Sequence, residues 1–198
     1  NSGTISGNLA TGGSGGGLYC DDSSTTIKNC VLTENQSDGS GGAVCFMGGY
    51  QPGGTHEVIN CLITDNNAFS DGAGISCNVG TMPTITNCTI VGNEVPSYYG
   101  SGGGVSCYDA VVWIADGILW NNTAAYGPQI AIGDPLETNN HEATVVLGYS
   151  DVEGGTGAVF VGQGPPGAGP MLIPWPPGTV IDADPNFAIT SLTEQNYN

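Results

Sequence analysis

The sequence predicts an all-β fold, a right-handed parallel β-helix of about five or six stacked coils. Three features predict it: a composition poor in helix formers, a two-part motif returning every 27–31 residues, and apolar alternation within each period.

The 198 residues include 34 Gly and a single basic residue, Lys28. Only 10% are charged, against roughly a quarter in an average soluble chain. Gly, Thr, Asn, Ser, Val and Ile dominate, and these favour turns and strands over helices. A hydrophobic share of 39% is enough for a continuous core. The net charge of −17 makes nucleic acid and anionic membrane surfaces poor partners, because Lys28 alone cannot neutralise phosphates. No run approaches the roughly 20 apolar residues that a membrane span needs. Asn1 opens directly into repeat-like sequence without a leader, so the chain reads as processed or excerpted.

The first motif is Gly-rich: GGGLYC at 15–20, GGAVCF at 41–46, GAGISC at 72–77 and GGGVSC at 102–107. The second sets an aliphatic residue three places before an Asn, as in Ile5 and Asn8, Leu32 and Asn35, Ile63 and Asn66, Ile90 and Asn93, Leu119 and Asn122. Upstream of it stand the pairs Asn29-Cys30, Asn60-Cys61 and Asn87-Cys88. Successive Asn positions lie 27, 31, 27 and 29 residues apart, a solenoid period. Two or three short strands per period cannot bury their inner faces alone. Stacking coils about 4.8 Å apart gives every strand parallel partners and closes the core.

Residues 1–162 are assigned to these coils, 163–180 to a Pro/Gly-rich excursion that cannot be a central strand, and 181–198 to a closing or incomplete coil, all in one domain. The Gly-Gly-Ala-aliphatic motif alternating with an aliphatic-x-x-Asn motif resembles the repeats of polymorphic outer membrane proteins, within the pectate-lyase-like β-helices. The segments YSDVEGG at 149–155 and IDADPNF at 181–187 resemble closing coils of secreted β-helix proteins of planctomycete-like bacteria. That resemblance implies an extracellular or cell-surface location.

Equivalent positions stack, so Asn35, Asn66, Asn93 and Asn122 are expected to form an amide ladder at a turn. Cys30, Cys61 and Cys88 form one expected thiol column. Cys20, Cys77 and Cys107 form a second, interrupted by Phe46. In-register strands keep Cβ atoms farther apart than a disulfide prefers, so mostly free thiols are expected. Cys45 shares a slot with Tyr19, Ser76 and Ser106, which turns it outward as either the candidate for an intermolecular bridge or a simple exposed thiol. Asp21, Asp22, Asp38, Asp65, Asp71 and Asp109 lie beside turns, where Ca²⁺ takes carboxylate and carbonyl oxygens; a solvated acidic surface is the competing reading. His56 and His141 read as surface residues in loops. Tyr50, Tyr98, Tyr99, Trp113, Trp120, Tyr126 and Trp175 are aromatic faces suited to sugar rings, with Trp175 the candidate glycan contact.

No catalytic group is evident. A β-helix lyase of the resembled class implies a basic residue, often Arg, which this chain lacks. A glycosidase needs paired carboxylates, and Asp109, Asp116 and Asp134 are the nearest approach. Neither end shows an amphipathic cap. The leading expectation is therefore an extracellular structural β-helix, an adhesin rod or a fibre subunit stacking end to end on copies of itself. The alternatives are a carbohydrate-active lyase or hydrolase, and a glycan-binding module without chemistry.

Overall fold

The protein is described here from a computed structural model covering residues 2–49, 54–137, 142–164 and 169–185. Among these residues every named strand pairing is parallel, and each coil contributes one strand to each of three long sheets.

The first sheet runs Gly3–Ser6, Cys30–Thr33, Leu62–Thr64, Thr89–Val91, Ile118–Trp120, Ser150–Val152 and Val180–Ile181. The second runs Leu18–Asp21, Val44–Met47, Ile75–Asn78, Val105–Tyr108, Ile130–Ile132 and Phe160–Val161. The third runs Thr25–Lys28, Thr55–Ile59, Met82–Thr86, Val111–Ala115, Thr144–Gly148 and Met171–Pro174. A short fourth ladder joins Leu9–Ala10, Gln36–Ser37 and Asn67–Ala68.

Because strand register is held from coil to coil, like residues stack in the core. Leu32, Ile63, Ile90 and Leu119 form one aliphatic column. Val44, Ile75, Val105 and Ile130 form a second, and Val58, Ile85, Ile114 and Leu147 a third. All of them are buried. The alternation read in the sequence is thus the alternation of core and outside.

The Gly-rich motif has a steric cause. Its first glycine is left-handed in every copy, with φ of 73° at Gly15, 71° at Gly41, 60° at Gly72 and 65° at Gly102, a region costly for any residue with a Cβ. A Cβ at Gly42, the second position, would lie 2.5 Å from the carbonyl oxygen of Asn67 in the next coil, so the chain packs there backbone to backbone. The corner before the first sheet uses the other residues that tolerate positive φ: Asn29, Asn60, Asn87 and Asp116 have φ between 52° and 55°.

One boundary needs correction. Within the expected Pro/Gly-rich excursion, Met171–Pro174 is a strand, paired with Thr144–Leu147. The N–H groups of Met171 and Trp175 donate to Ala143 and Leu147, so the nitrogen of Pro174, one residue out of phase, faces away from that partner. As the last strand of the sheet among the described residues, it tolerates the missing donor. The coils therefore continue past 162. Val180–Ile181, across the expected boundary between excursion and closing coil, pairs with Ser150–Asp151, while 186–198 lie outside the described residues.

Candidate functional site

The repeated Asn residues form the most regular polar array. Asn35 Nδ2 donates to Asn66 Oδ1 at 3.0 Å, Asn66 Nδ2 to Asn93 Oδ1 at 2.9 Å, and Asn93 Nδ2 to Asn122 Oδ1 at 2.9 Å. Each Oδ1 also accepts the backbone N–H of the Asn in the preceding coil. All four side chains are buried, so this ladder is internal architecture and offers nothing to a ligand. A second, exposed ladder runs through the corner, where Asn60 donates to Asn29 and Asn87 to Asn60.

All seven cysteines are free thiols. Cys61 and Cys88 donate to the Ile59 and Thr86 carbonyls, and Cys30 to that of Lys28. Cys20, Cys77 and Cys107 face the core; burial pushes Cys77 well up and Cys107 up to about 12. Cys45 corrects the sequence reading. Its slot does face out of the coil, yet its exposure is 0%. Asn78 donates an amide N–H to its sulfur, and the Ser14 side chain also hydrogen-bonds with it. Burial pushes its thiol up to about 12. Cys45 therefore cannot reach another molecule. We expect no reaction of native protein with a thiol reagent at pH 8 beyond slow labelling of the half-buried Cys30, with the remaining six thiols appearing only in denaturant. Counting thiols with and without denaturant checks this.

His56 is also corrected. Alternation in Thr55–Ile59 sends His56 and Val58 inward together, and His56 is 1% exposed. It stacks on Phe46 at 4.2 Å, and among the described residues neither ring nitrogen has a hydrogen-bond partner. His141 and Tyr50 lie outside the described residues.

The six candidate Asp residues do not converge. Asp22 accepts the Gly49 N–H, Asp38 the Gly12 N–H, and Asp65 the Thr64 hydroxyl. Asp22, Asp65 and Asp109 are themselves left-handed turn residues. Among the described residues no three His, Cys, Asp or Glu side chains gather as a metal site would require. Asp71 lines a pocket of about 140 Å³ on the outer side of the second sheet, with Asn78, Ser101, Ser106, Tyr108 and Asp134. Its Oδ1 accepts the Ser101 hydroxyl at 2.7 Å and the Ser101 N–H at 3.0 Å. Burial holds its pKa above the ordinary carboxylate value, and Asp134 adds to the rise.

A different site lies on the outer side of the third sheet. From Met82–Thr86 through Met171–Pro174 the outward side chains are Met82, Thr84, Thr86, Val111, Trp113, Ala115, Thr144, Val146, Met171 and Ile173, all uncharged. Trp113 is 50% exposed, Tyr149 59% and Trp175 63%. These three, with Thr84, Thr86, Val146 and Gly148, line a cleft of about 360 Å³. Register explains the gap: Val146 follows Trp113, and Gly148 follows Ala115, in the next coil. Two small residues thus form a floor between the indole of one coil and that of Trp175 above. Tyr149 occupies the corner slot that Asn29, Asn60, Asn87 and Asp116 fill in earlier coils. Sequence reading singled out Trp175 but not its grouping with Trp113 and Tyr149, which come from three coils.

Fold and repeat together define a parallel β-helix repeat protein. The family model described as a right handed beta helix region matches residues 1–140, and the chain belongs to that family. Comparison with curated proteins and with solved structures gives no match. No helix among the described residues is long and apolar enough to cross a membrane.

Proposed function

We propose that the chain is an extracellular or cell-surface β-helix rod that works by contact, as an adhesin. The observation that carries this reading is the uncharged outer face of the third sheet, from Met82 to Trp175, in a chain of net charge −17. Charge returns on the same face one coil below, where Glu57 is exposed next to the Thr84 position. A broad apolar and aromatic face in water marks an interaction surface. Beads coated with the protein should adhere to surfaces coated with polysaccharides or extracellular proteins, and beads carrying Val111→Glu/Met171→Glu protein should not. Equal adhesion of both would overturn the reading. In its other form, an end-to-end fibre, the same parallel ladders extend between copies, and sedimentation over a concentration series measures it.

The Asp71 pocket favours one alternative, a glycoside hydrolase. A carboxyl whose pKa burial raises, in one pocket with a second carboxyl, is the kind of pairing that glycoside cleavage uses. On this reading wild-type protein releases reducing ends from polysaccharides best on the acid side of neutrality, and Asp71→Asn abolishes release. A panel of neutral and acidic polysaccharides decides it, and no release from any of them sinks the alternative.

A further inference from the structure

The outer face of the third sheet contains a cleft whose chemistry names a ligand class, and the following inference rests on the contact reading above. We propose that the Trp113–Tyr149–Trp175 cleft binds a chain of neutral pyranose sugars, running along the axis of the coils.

Four observations meet there. The first is aromatic: two indoles and a phenol, each about half exposed or more, lie around one cleft, and among the described residues neither indole is stacked on another ring. The C–H face of a pyranose ring covers such a surface without needing charge. The second is spacing. Trp113 stands on the coil below Val146, and Trp175 on the coil above Gly148. The two indoles are therefore two coils, about 9.6 Å, apart along the axis. That span exceeds one ring, so the two indoles would meet different rings of one extended sugar chain. The third is the floor, where Val146 is the short outward side chain stacked on the Trp113 position and the Trp175 backbone seats directly on Gly148, which a Cβ there would prevent. The fourth is polarity. The Thr84 and Thr86 hydroxyls stand at the edge as hydrogen-bonding groups, and among the described residues none that lines the cleft is charged.

The charge balance separates neutral from acidic sugars. A uronate polymer approaching this chain meets net −17 and finds no cation in the cleft, since Lys28 lies on Thr25–Lys28, three coils below Val111–Ala115. A neutral polymer meets no such repulsion. A second copy of this protein would bring its own −17 to the contact, which disfavours it as the occupant.

Affinity electrophoresis of the full chain through gels containing a β-1,4-glucan, a mannan, a galactan or polygalacturonate tests this. We expect retardation by at least one neutral polymer and none by polygalacturonate. Trp113→Ala and Trp175→Ala should each weaken retardation roughly 3- to 10-fold, the double variant should abolish it, and Trp113→Phe should keep most of it. Both indoles are largely exposed, so unchanged melting curves identify the losses as binding losses. No retardation by any neutral polymer, retardation indifferent to both Trp changes, or preference for polygalacturonate would overturn the proposal. Bead adhesion unaffected by the Trp changes would overturn the cleft while leaving the contact reading. Neutral-sugar retardation without bead adhesion would do the reverse.

Discussion

Asn66→Ala lowers the free energy of unfolding by about 3–5 kcal/mol, one of the two largest effects expected of any single change in this chain. The loss does not come from one hydrogen bond. Asn66 Oδ1 accepts both the N–H and the side-chain amide of Asn35, while its Nδ2 donates to the carbonyls of Leu32 and Thr64 and to Asn93 Oδ1. Truncation strands the buried Asn35 N–H and withdraws the side-chain donor from Leu32, in a place where Asn66 is 1% exposed and water cannot substitute. Each buried group left unpaired costs about 1–3 kcal/mol. Asn66→Asp keeps the acceptor but aims a carboxylate at two carbonyls, so it should be at least as damaging. Asn60→Ala, on the exposed corner ladder, loses partners that water replaces but puts Ala at a φ of 53°, so it should cost about 1–2 kcal/mol. Urea unfolding of the three variants measures the difference. Equal costs for Asn60→Ala and Asn66→Ala would mean that the internal ladder is not a stabilising element.

That ladder was readable from sequence because it needs only identity and period. One residue type at one slot of a stacked repeat must meet itself above and below, and 27–31-residue spacing supplies the stacking. The same holds for the core columns and for the first glycine of each Gly-rich motif. What escaped reading depends on neighbours outside the slot. Cys45 does face outward, but Asn78, a full coil away in sequence, closes over it. His56 was hidden by its polar identity, although the alternation through Val58 already placed it inside. Met171–Pro174 was hidden by prolines whose harm depends on which way each nitrogen points, a property of register rather than composition. The cleft was the least legible, because it arises where small Val146 and Gly148 interrupt an outer face that Trp113, Tyr149 and Trp175 complete from different coils.

Phe46→Ala should cost about 3–5 kcal/mol and also change how stability depends on pH. Phe46 takes the place that Cys20, Cys77 and Cys107 fill in other coils, and its ring lies flat against His56 at 4.2 Å with an interplanar angle of 20°. In the intact protein burial lowers the His56 pKa, so the folded chain holds a neutral imidazole. The unfolded chain takes up a proton near the ordinary value of 6.5. Stability contributed by the neutral ring is therefore full above that value and falls as pH drops through 6.5 towards the folded pKa, with a slope approaching about 1.4 kcal/mol per pH unit for one proton. Asp71 acts with the opposite sign at lower pH, because its raised pKa makes the folded chain the stronger proton binder there. Removing the Phe46 ring opens space over the imidazole face, and among the described residues neither ring nitrogen has a hydrogen-bond partner. Water entering that space solvates the imidazolium and restores its pKa towards 6.5. The Phe46→Ala protein should then be weaker at pH 7.5 yet lose less further stability between pH 7 and 5.5 than the parent does. His56→Phe should lose that acid-side slope as well while keeping the stack. Urea midpoints across this range, with an imidazole titration followed by NMR, measure both effects; a parent whose stability is flat from pH 7 to 5.5 would show that His56 exchanges its proton as freely folded as unfolded.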